Sequence, residues 1–337
     1  MTDIHEDFEF VGYDSLVSNG TVKAIVLDNR LVDRLDKGST GWVFFNRSPF
    51  YAEMGGQIAD HGGIYDGNDK LADVLDVQKA PNGQFMHQVE TLDIPLVLDQ
   101  SYTLKVDGPE RLKINQNHSA THLLHRALKE VLGDHASQRG SYVGPDRLRF
   151  DFSHFGKMTQ EEMEAVETKV NDYIQASMPV DIAEMSIDDA KALGAMALFG
   201  EKYGEWVRVV NMGNVSIELC GGTHVTNTNQ IGTFKLLSET GIGAGIRRIE
   251  ALTGQAAYHY YRDQETILRQ VQEQIKVSHS NQILQRIEQL QDELKMAQAE
   301  IDSLSAKAMQ AASDQLFDQA ERVGDLSYIV ALSLIHI

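Results

Sequence analysis

The sequence predicts an α+β protein in three parts: a small antiparallel β-barrel, an α+β domain with a candidate metal site, and a long coiled-coil-like helix. Short runs rich in Val, Ile and aromatic residues, separated by Asn-Gly and similar turns, fill the first part. Helical and strand-like patterns then alternate, and a heptad pattern follows. A chain of 337 residues is long enough for two or three domains. We place the barrel at residues 1–107, the α+β domain at 108–256 and the long helix at 257–322. Residues 323–337 form a short fourth segment.

The first part has five strand-like runs and little helical periodicity, which favours a closed antiparallel barrel. The runs are Thr21–Leu27, Gly41–Phe45, Lys70–Gln78, Gln84–Val89 and Ser101–Val106. Between the second and third runs, Gly55 and Gly56 precede Gln57. Two interpretations stay open here: a close approach of the backbone to a ligand beside an amide side chain, or a β-bulge with a turn.

Two short segments carry histidine and cysteine, which are residue types that commonly bind metals. His118 and His122 are four residues apart in a helical pattern, so both imidazoles project from one helix face. Cys220 and His224 flank a stretch that opens with two glycines, which allows a tight turn. Three imidazoles and one thiolate suit tetrahedral zinc. The alternative is that these are ordinary helix histidines and a buried cysteine. His125 is interpreted as a packing residue or as a residue that supports the ligands, and not as a fourth ligand.

The rest of the second part predicts further helices and strands. A helix carrying both histidines should end near Gly133, Tyr142–Phe152 is strand-like, and Thr159 caps a helix with Glu162 at capping-box spacing. Further elements are predicted at Ile187–Leu193 (helix) and at Trp206–Asn211, Val215–Leu219 and Gly232–Glu239 (strands). The glycine-rich turn before Arg247 and Arg248 does not match a dinucleotide fingerprint. Either it delivers both arginines to a nucleic-acid phosphate, or it is a structural turn with surface arginines.

Composition and charge restrict the possible functions. The chain has 30 basic and 49 acidic residues and a net charge of −19, which argues against nucleic-acid binding by the whole surface. Arginines nevertheless cluster near the histidine pair, so a local basic face is compatible with the sequence. We find no run of eighteen apolar residues and no signal peptide, and the single cysteine permits no internal disulfide. We therefore expect a cytoplasmic protein without a membrane contact.

The last part predicts a long amphipathic helix. Its apolar positions alternate by four and three: Ile283, Ile287, Leu290, Leu294, Ala297, Ile301, Leu304 and Ala308. Ser278–Ser280 interrupt the pattern, so we expect a bend there. The apolar face needs a partner, which is its own hairpin, a second copy of the chain or a further domain. A strand-like run, Leu326–Leu334, has nothing after it to pair with, so we interpret 323–337 as the truncated start of another domain whose last residues need not be native.

Six segments together resemble the editing region of alanyl-tRNA synthetase. They are Pro49–Gln57, Asn117–His125, Pro145–Phe152, Phe199–Gly204, Glu218–His224 and Gly245–Ala251. They occur in the family's order over roughly residues 8 to 255, and the helical part resembles the start of the family's C-terminal coiled region. The same module occurs in stand-alone alanyl-tRNA editing proteins and, more distantly, in threonyl-tRNA synthetases. No segment resembles the class II aminoacylation core.

The resemblance implies a zinc ion held by His118, His122, Cys220 and His224. It also implies hydrolysis of tRNA(Ala) mischarged with serine or glycine, since a pocket built for alanine cannot strongly reject either amino acid. In this interpretation Cys220 belongs to the catalytic centre, and Gln57 matches the editing-site glutamine that positions substrate or water.

Three further residues have expected roles by the same resemblance. Ser48 is a candidate for binding the serine hydroxyl, and Arg247 and Arg248 are the candidate tRNA contacts. Met54 stands where many relatives carry serine. The competing hypothesis is a non-catalytic module that binds tRNA or oligomerises and whose zinc is structural. An unrelated metallohydrolase is disfavoured, because the HExxH motif is absent.

Overall fold

The structure, a computed structural model, describes residues 7–196, 204–318 and 320–330, without the side chains of residues 316, 317 and 323. It separates into two compact units, Met1–Tyr260 and Tyr261–Ile337. The four-part division expected from the sequence stays a prediction. The segment Phe199–Gly204 lies outside the described residues except for its last glycine, and so do residues 331–337.

Six antiparallel strands close a barrel at the start of the first unit, as predicted. The strands are β1 (Val17–Leu27), β2 (Thr40–Phe45), β3 (Gly62–Asp66), β4 (Asp69–Lys79), β5 (Phe85–Thr91) and β6 (Ser101–Val106). Their order around the barrel is β6-β3-β4-β5-β2-β1, and β1 pairs again with β6 to close the ring. The short strand Arg30–Val32 also pairs with β1. Two separate two-stranded sheets pair Glu9–Phe10 with Arg47–Ser48 and Leu96–Val97 with Arg34–Leu35. Closure pairs the edges that an open sheet would leave exposed.

The sequence analysis missed strand β3. It begins with Gly62 and Gly63, and because glycine weakens strands and is typical of turns, this segment carries no clear strand pattern. The structure shows why glycine is needed at the first position. A Cβ on Gly62 would overlap the carbonyl oxygen of Lys105 on neighbouring β6. Here glycine therefore allows two barrel strands to approach closely and does not break the strand.

One titratable side chain lies inside the barrel. His87 on β5 is fully buried, and its Nδ1–H donates to the carbonyl oxygen of Val43 at 3.2 Å. The hydroxyl of Ser48 donates to His87 Nε2 at 2.7 Å, and Ser48 Oγ accepts from the Phe50 amide at 3.2 Å. Burial lowers the pKa of His87 to about 4, although the bond to Val43 opposes this shift. The neutral imidazole is therefore part of the folded barrel.

The barrel should lose stability in acid because of His87. The folded pKa of about 4 lies below the unfolded value of 6.5, so the unfolded chain takes up the proton first. The stabilisation is complete above pH 6.5 and declines as the pH falls towards 4. At about 1.4 kcal/mol per pKa unit, the loss amounts to about 3 kcal/mol. In urea unfolding of wild type and His87→Gln, the difference in stability should narrow from pH 7 to pH 4.5. An equal difference at both pH values would contradict this assignment.

A 25-residue helix, α1 (Gly108–Leu132), follows the barrel. Asp107 caps its N-terminus by accepting the Glu110 amide at 3.0 Å, and Pro109 lies in the first turn, where it needs no amide partner. Gly133 ends the helix with φ of 108°, in agreement with the predicted end. The long apolar face of α1 is buried, which fixes the orientation of the polar residues that lie between its leucines.

A four-stranded sheet packs against α1 with order β7-β8-β13-β12. Its strands are β7 (Gln138–Val143), β8 (Leu148–Ser153), β12 (Phe234–Gly243) and β13 (Ile246–Thr253). The run predicted as one strand from Tyr142 to Phe152 is therefore a hairpin. Helix α2 (Gln160–Gln175) covers the same core, and both halves of the predicted Thr159–Glu162 capping box are present.

A separate three-stranded sheet carries the cysteine turn. Its strands are β9 (Val180–Ser186), β10 (Trp206–Met212) and β11 (Ser216–Leu219), in the order β9-β10-β11, and α3 (Ile187–Ala192) follows β9. Strand β9 was not predicted, because its side chains are mostly exposed and give no clear alternation. The 3₁₀ helix Thr228–Ile231 leads from this sheet back to β12.

The second unit is mainly helical. Helix α4 (Gly254–Ile275) enters it, a 3₁₀ turn at Ser280–Gln282 interrupts the helical run near the predicted break, and α5 (Ile283–Asp318) continues for 36 residues. Apolar side chains along α5, such as Leu294, are largely exposed, and a partner for them stays a prediction. Among the described residues, no helix is long and apolar enough to cross a membrane.

The strand-like run that begins at Leu326 has a partner that precedes it in the chain. Its described part forms β15 (Leu326–Tyr328), which pairs antiparallel with β14 (Glu321–Val323) across a turn at Gly324. The expectation from the sequence concerned residues after this strand, and the interpretation of 323–337 as the start of another domain stays a prediction. The local hairpin was missed because the sequence analysis sought a partner only after the run.

Candidate metal centre

The two histidines of the HxxxH segment lie side by side on α1. Because His118 and His122 are one helical turn apart, their ring centroids are 5.5 Å apart and both face the cysteine turn. Both are buried, with 6% and 4% of their surface exposed. A buried pair of imidazoles at this spacing can bind one ion from one side.

The cysteine turn reaches the helix from strand β11. Cys220 Sγ lies 3.4 Å from His118 Nε2 and 3.4 Å from His224 Nε2. Gly222 is needed for this approach, since a Cβ at this position would overlap the His118 ring and come within 2.8 Å of Gln57 Oε1. The glycines after Cys220 therefore permit the turn, and one of them also leaves space for the helix histidine.

The four side chains have the geometry of a metal site. One ligand atom from each of His118, His122, Cys220 and His224 lies within 4.8 Å of the others. Tetrahedral zinc with ordinary Zn–N and Zn–S bonds would separate nitrogen and sulfur by about 3.5 Å. The observed separations of 3.4 Å agree with this value. The donor set and these two separations therefore fit zinc, and the four residues selected from the sequence are the ones that come together.

Gln57 connects the barrel to this centre. Its Oε1 accepts the backbone amide of Thr223 at 2.9 Å, which fixes the orientation of the amide group, and its Nε2 donates to Thr223 Oγ1 at 2.9 Å. The same Oε1 lies 2.7 Å from His118 Nδ1, so this nitrogen must carry the proton and donate. His118 Nε2 is thereby left with its lone pair towards the cluster. Gln57 is completely buried.

His224 is oriented in a similar way by helix α1. Ser119 Oγ accepts the Val225 amide at 3.1 Å and lies 3.1 Å from His224 Nδ1. Ser119 is the residue after His118, so one turn of α1 both supplies a candidate ligand and positions another. Nε2 of His224 then faces Cys220.

Glu218 lies behind the third imidazole. Its Oε2 is 3.7 Å from His122 Nδ1 and its Oε1 is 3.1 Å from His125 Nδ1. Burial alone would raise the pKa of Glu218, but the two neighbouring imidazoles and the Ser216 hydroxyl lower it to about 2. The buried carboxylate is therefore ionised, and His125 contacts this carboxylate and lies outside the four-residue cluster.

The three clustered imidazoles are neutral near neutral pH. Burial, followed by the adjacent His122, lowers the pKa of His118 to about 3. Burial also lowers the pKa of His122, and it lowers that of His224 well below its usual value. Metal ligands must be deprotonated, so at pH 7 no proton has to leave these imidazoles before an ion binds.

A pocket of about 170 Å³ opens beside the cluster. Cys220, His118 and His122 are among the residues that line it. Polar lining comes from Thr121, Gln138, Ser141 and Glu218, and apolar lining from Tyr51 and Met54. The methionine noted in the sequence analysis therefore contributes an apolar wall to this pocket.

The structure places the other candidate residues elsewhere. Ser48 is buried in the barrel, where its hydroxyl is engaged by His87. Arg247 makes a two-point ion pair with Glu239, and Arg248 makes one with Asp151 at 2.7 and 2.8 Å. Arg247 and Arg248 are consecutive in β13, so their side chains leave opposite faces of the sheet. Their expected substrate contacts stay predictions.

Two family models match the chain on either side of the histidine helix. The model described as threonyl and alanyl tRNA synthetase second additional domain matches residues 207–250, which include the cysteine turn. The model described as tRNA synthetases class II (A) matches residues 1–110, which include Gln57. From the sequence, no segment was found to resemble the class II aminoacylation core, whereas this class II model matches the first 110 residues. Within it, the structure describes the barrel and the start of α1.

Curated relatives cover almost the whole chain. Alanine–tRNA ligase of Enterococcus faecalis is 48% identical over 332 residues, which are 98% of this chain and 38% of that protein. By sequence, the chain is homologous to part of alanine–tRNA ligase. The ligases of Geobacillus kaustophilus and Listeria innocua are also 48% identical, over 98% of this chain and 37% of their own lengths. The chain thus spans little more than a third of the ligases that it matches, and the match includes the cysteine turn, the histidine helix and the long helix.

Proposed function

We propose that this chain hydrolyses the ester of tRNA(Ala) mischarged with serine or glycine, at a zinc ion held by His118, His122, Cys220 and His224. The observation that supports this most strongly is the four-residue cluster beside an open pocket. Homology to alanine–tRNA ligases supports the choice of tRNA. Selection against glycine and serine is a chemical requirement of an alanine enzyme, because a pocket that admits alanine excludes neither strongly.

The residues around the centre would prepare it for this reaction. Gln57 and Ser119 keep the His118 and His224 rings oriented, and Glu218 supports His122 through a fixed negative charge. Bound zinc would polarise the ester carbonyl or lower the pKa of an attacking water. Cys220 is the least buried of the four ligands, so it is the one that we expect to face the substrate.

Substrate contacts are proposed for three hydroxyl-bearing residues and two arginines. Thr121 and Ser141 line the pocket and offer hydroxyls for a seryl side chain, in addition to the sequence-based candidate Ser48. Contact of Arg247 or Arg248 with the tRNA backbone requires a phosphate to share or replace the present carboxylate partner. Bidentate arginine can bind either anion.

A non-catalytic tRNA-binding module is the alternative, and the count of ligands favours it. Four protein ligands complete a tetrahedral zinc, and closed zinc sites are usually structural. This alternative predicts bound zinc and bound tRNA with an intact aminoacyl ester. The two proposals therefore differ in one measurable quantity, which is the rate of hydrolysis of the aminoacyl ester.

The test is deacylation of Ser-, Gly- and Ala-tRNA(Ala) by the whole chain, with zinc content determined on the same preparation. We expect rapid loss of the seryl or glycyl ester, survival of the alanyl ester and about one zinc per chain. Cys220→Ala and His122→Ala should lose zinc and hydrolysis. His135→Ala changes an exposed histidine outside the cluster and should behave as wild type. Bound zinc with all three esters intact would support the binding module and overturn the proposed hydrolysis.

A further inference from the structure

The cysteine turn is held by side chains that do not belong to it. Arg208 Nη1 donates to the carbonyl oxygens of Cys220 and Gly222, each at 2.8 Å. The hydroxyl of Tyr13 donates to the carbonyl oxygen of Gly221 at 2.5 Å. Three successive carbonyl groups of the turn are thus fixed by two side chains.

Tyr13 and Arg208 also contact each other. The guanidinium of Arg208 lies over the Tyr13 ring, 4.0 Å from its centroid, which is a cation–π contact. The Arg208 carbonyl accepts the Cys220 amide at 3.0 Å, so the arginine contacts the turn through its backbone as well. A ring, a guanidinium and the turn therefore form one connected cluster.

The two residues come from different parts of the first unit. Tyr13 precedes barrel strand β1, and Arg208 lies on β10, next to the strand that leads into the turn. A turn with two glycines has much conformational freedom, so its sulfur is poorly positioned by its own backbone. The Gly222 amide donates to Cys220 Sγ at 3.4 Å, and this contact depends on the carbonyl groups on both sides remaining in place.

We propose that Tyr13 and Arg208 are positioning residues that keep the Cys220 sulfur in place for metal binding. This inference rests on the metal centre of the proposed function. Neither residue belongs to the four candidate ligands, and each acts through the backbone of the turn.

The test uses Arg208→Met and Tyr13→Phe in the whole chain. Arg149 lies over the ring of Tyr142 at 5.2 Å, so Arg149→Met and Tyr142→Phe remove a similar pair elsewhere in the unit and serve as matched controls. Loading with Co²⁺ gives a sulfur-to-cobalt charge-transfer band that reports on the thiolate. Iodoacetamide reports on the same atom, because Cys220 is the single cysteine of the chain.

For Arg208→Met we expect Co²⁺ affinity to fall roughly tenfold or more, as when an outer-shell partner of a metal site is removed. Its charge-transfer band per bound Co²⁺ should weaken, and alkylation of the loaded protein should accelerate. Tyr13→Phe keeps the ring and loses one hydrogen bond, so its effects should have the same sign and be smaller. Both control variants should match wild type.

The proposal is overturned if Arg208→Met and Arg149→Met have equal bands and equal alkylation rates. A lower melting temperature of Arg208→Met with an unchanged band would also overturn it, since that is the result of a merely structural contact. Failure of the proposed function looks different: wild type would bind no Co²⁺ or leave the seryl ester intact. In that case the alkylation rates of metal-free Arg208→Met and Arg149→Met are compared. Equal rates again overturn the proposed positioning role.

Discussion

Gly222→Ala is expected to abolish metal binding at the centre. The added Cβ would overlap the His118 ring and lie within 2.8 Å of Gln57 Oε1, in a region where both side chains are buried. Neither group is a flexible end that can move aside, because Gln57 is bound to Thr223 and His118 to Gln57. Relief of the overlap must separate the cysteine turn from α1, and thus the sulfur from His118. We expect zinc affinity to fall by more than about 100-fold, which is the largest loss usual when a residue that supports a metal ligand is changed.

The neighbouring glycine provides the control for this prediction. A Cβ on Gly221 would meet only the Tyr13 hydroxyl among its described neighbours, at 4.0 Å, which is an ordinary contact. Gly221→Ala should therefore keep zinc affinity within a few-fold of wild type, measured by competition with a chromophoric chelator. Equal affinities for Gly222→Ala and Gly221→Ala would show that the turn can move without loss of the site.

Arg111→Met is expected to cost about 3–5 kcal/mol of folding stability, as when one partner of a buried ion pair is removed. Arg111 on α1 makes a two-point ion pair with Asp60, with Nε at 2.7 Å from one carboxylate oxygen. It also donates to the carbonyl oxygens of Gly12 at 2.7 Å and Pro49 at 3.1 Å. Asp60 and Arg111 are 1% and 3% exposed, so the substitution leaves an unpaired buried carboxylate and two carbonyl groups without this donor.

Arg126→Met tests the same change on the outer face of the same helix. Arg126 pairs with Glu130 one turn away and is 44% exposed, so its loss should cost about 0.5 kcal/mol or less. Urea unfolding of both variants at pH 7 measures the difference. In Asp60→Asn/Arg111→Met the charge is gone while Tyr51 keeps an acceptor for its amide, so part of the stability should return. A cost for Arg111→Met no larger than that for Arg126→Met would contradict the prediction.

The barrel, the capped helices and the long C-terminal helix follow from local sequence patterns. Thr159 with Glu162, Gly133 after a helical pattern, and the heptad positions of α5 each act within a few residues, so the sequence alone reveals them. Strands β3 and β9 were missed for a different reason. The glycines of β3 are required by close approach to β6, and the exposed side chains of β9 lack the alternation that marks a buried strand.

The residues of the candidate site also fall into two sets: those that local sequence patterns reveal and those that they do not. The four candidate ligands lie in two motifs with local spacing, and Ser119 and Glu218 are inside the segments that carry the family resemblance. Tyr13 and Arg208 have no such signal. Tyr13 contacts a residue 208 positions away, and Arg208 reaches the turn through the pairing of β10 with β11. A single sequence does not reveal contacts of this kind, because nothing near either residue distinguishes it from other surface side chains.

The link between Gln57 and the two metal-binding segments has a consequence for the order of folding. Gln57 is 61 residues before His118 and 166 residues before Thr223. During synthesis from the N-terminus, the barrel strands are complete before the cysteine turn leaves the ribosome, and domains generally fold in that order. The barrel would then hold the backbone of Gln57 in place early. The Thr223 amide that fixes the orientation of its side chain follows Cys220 in the chain, so the ring of His118 is set only when the cysteine turn arrives. Assembly of the centre is thus a late step that reports on correct folding of nearly everything before it.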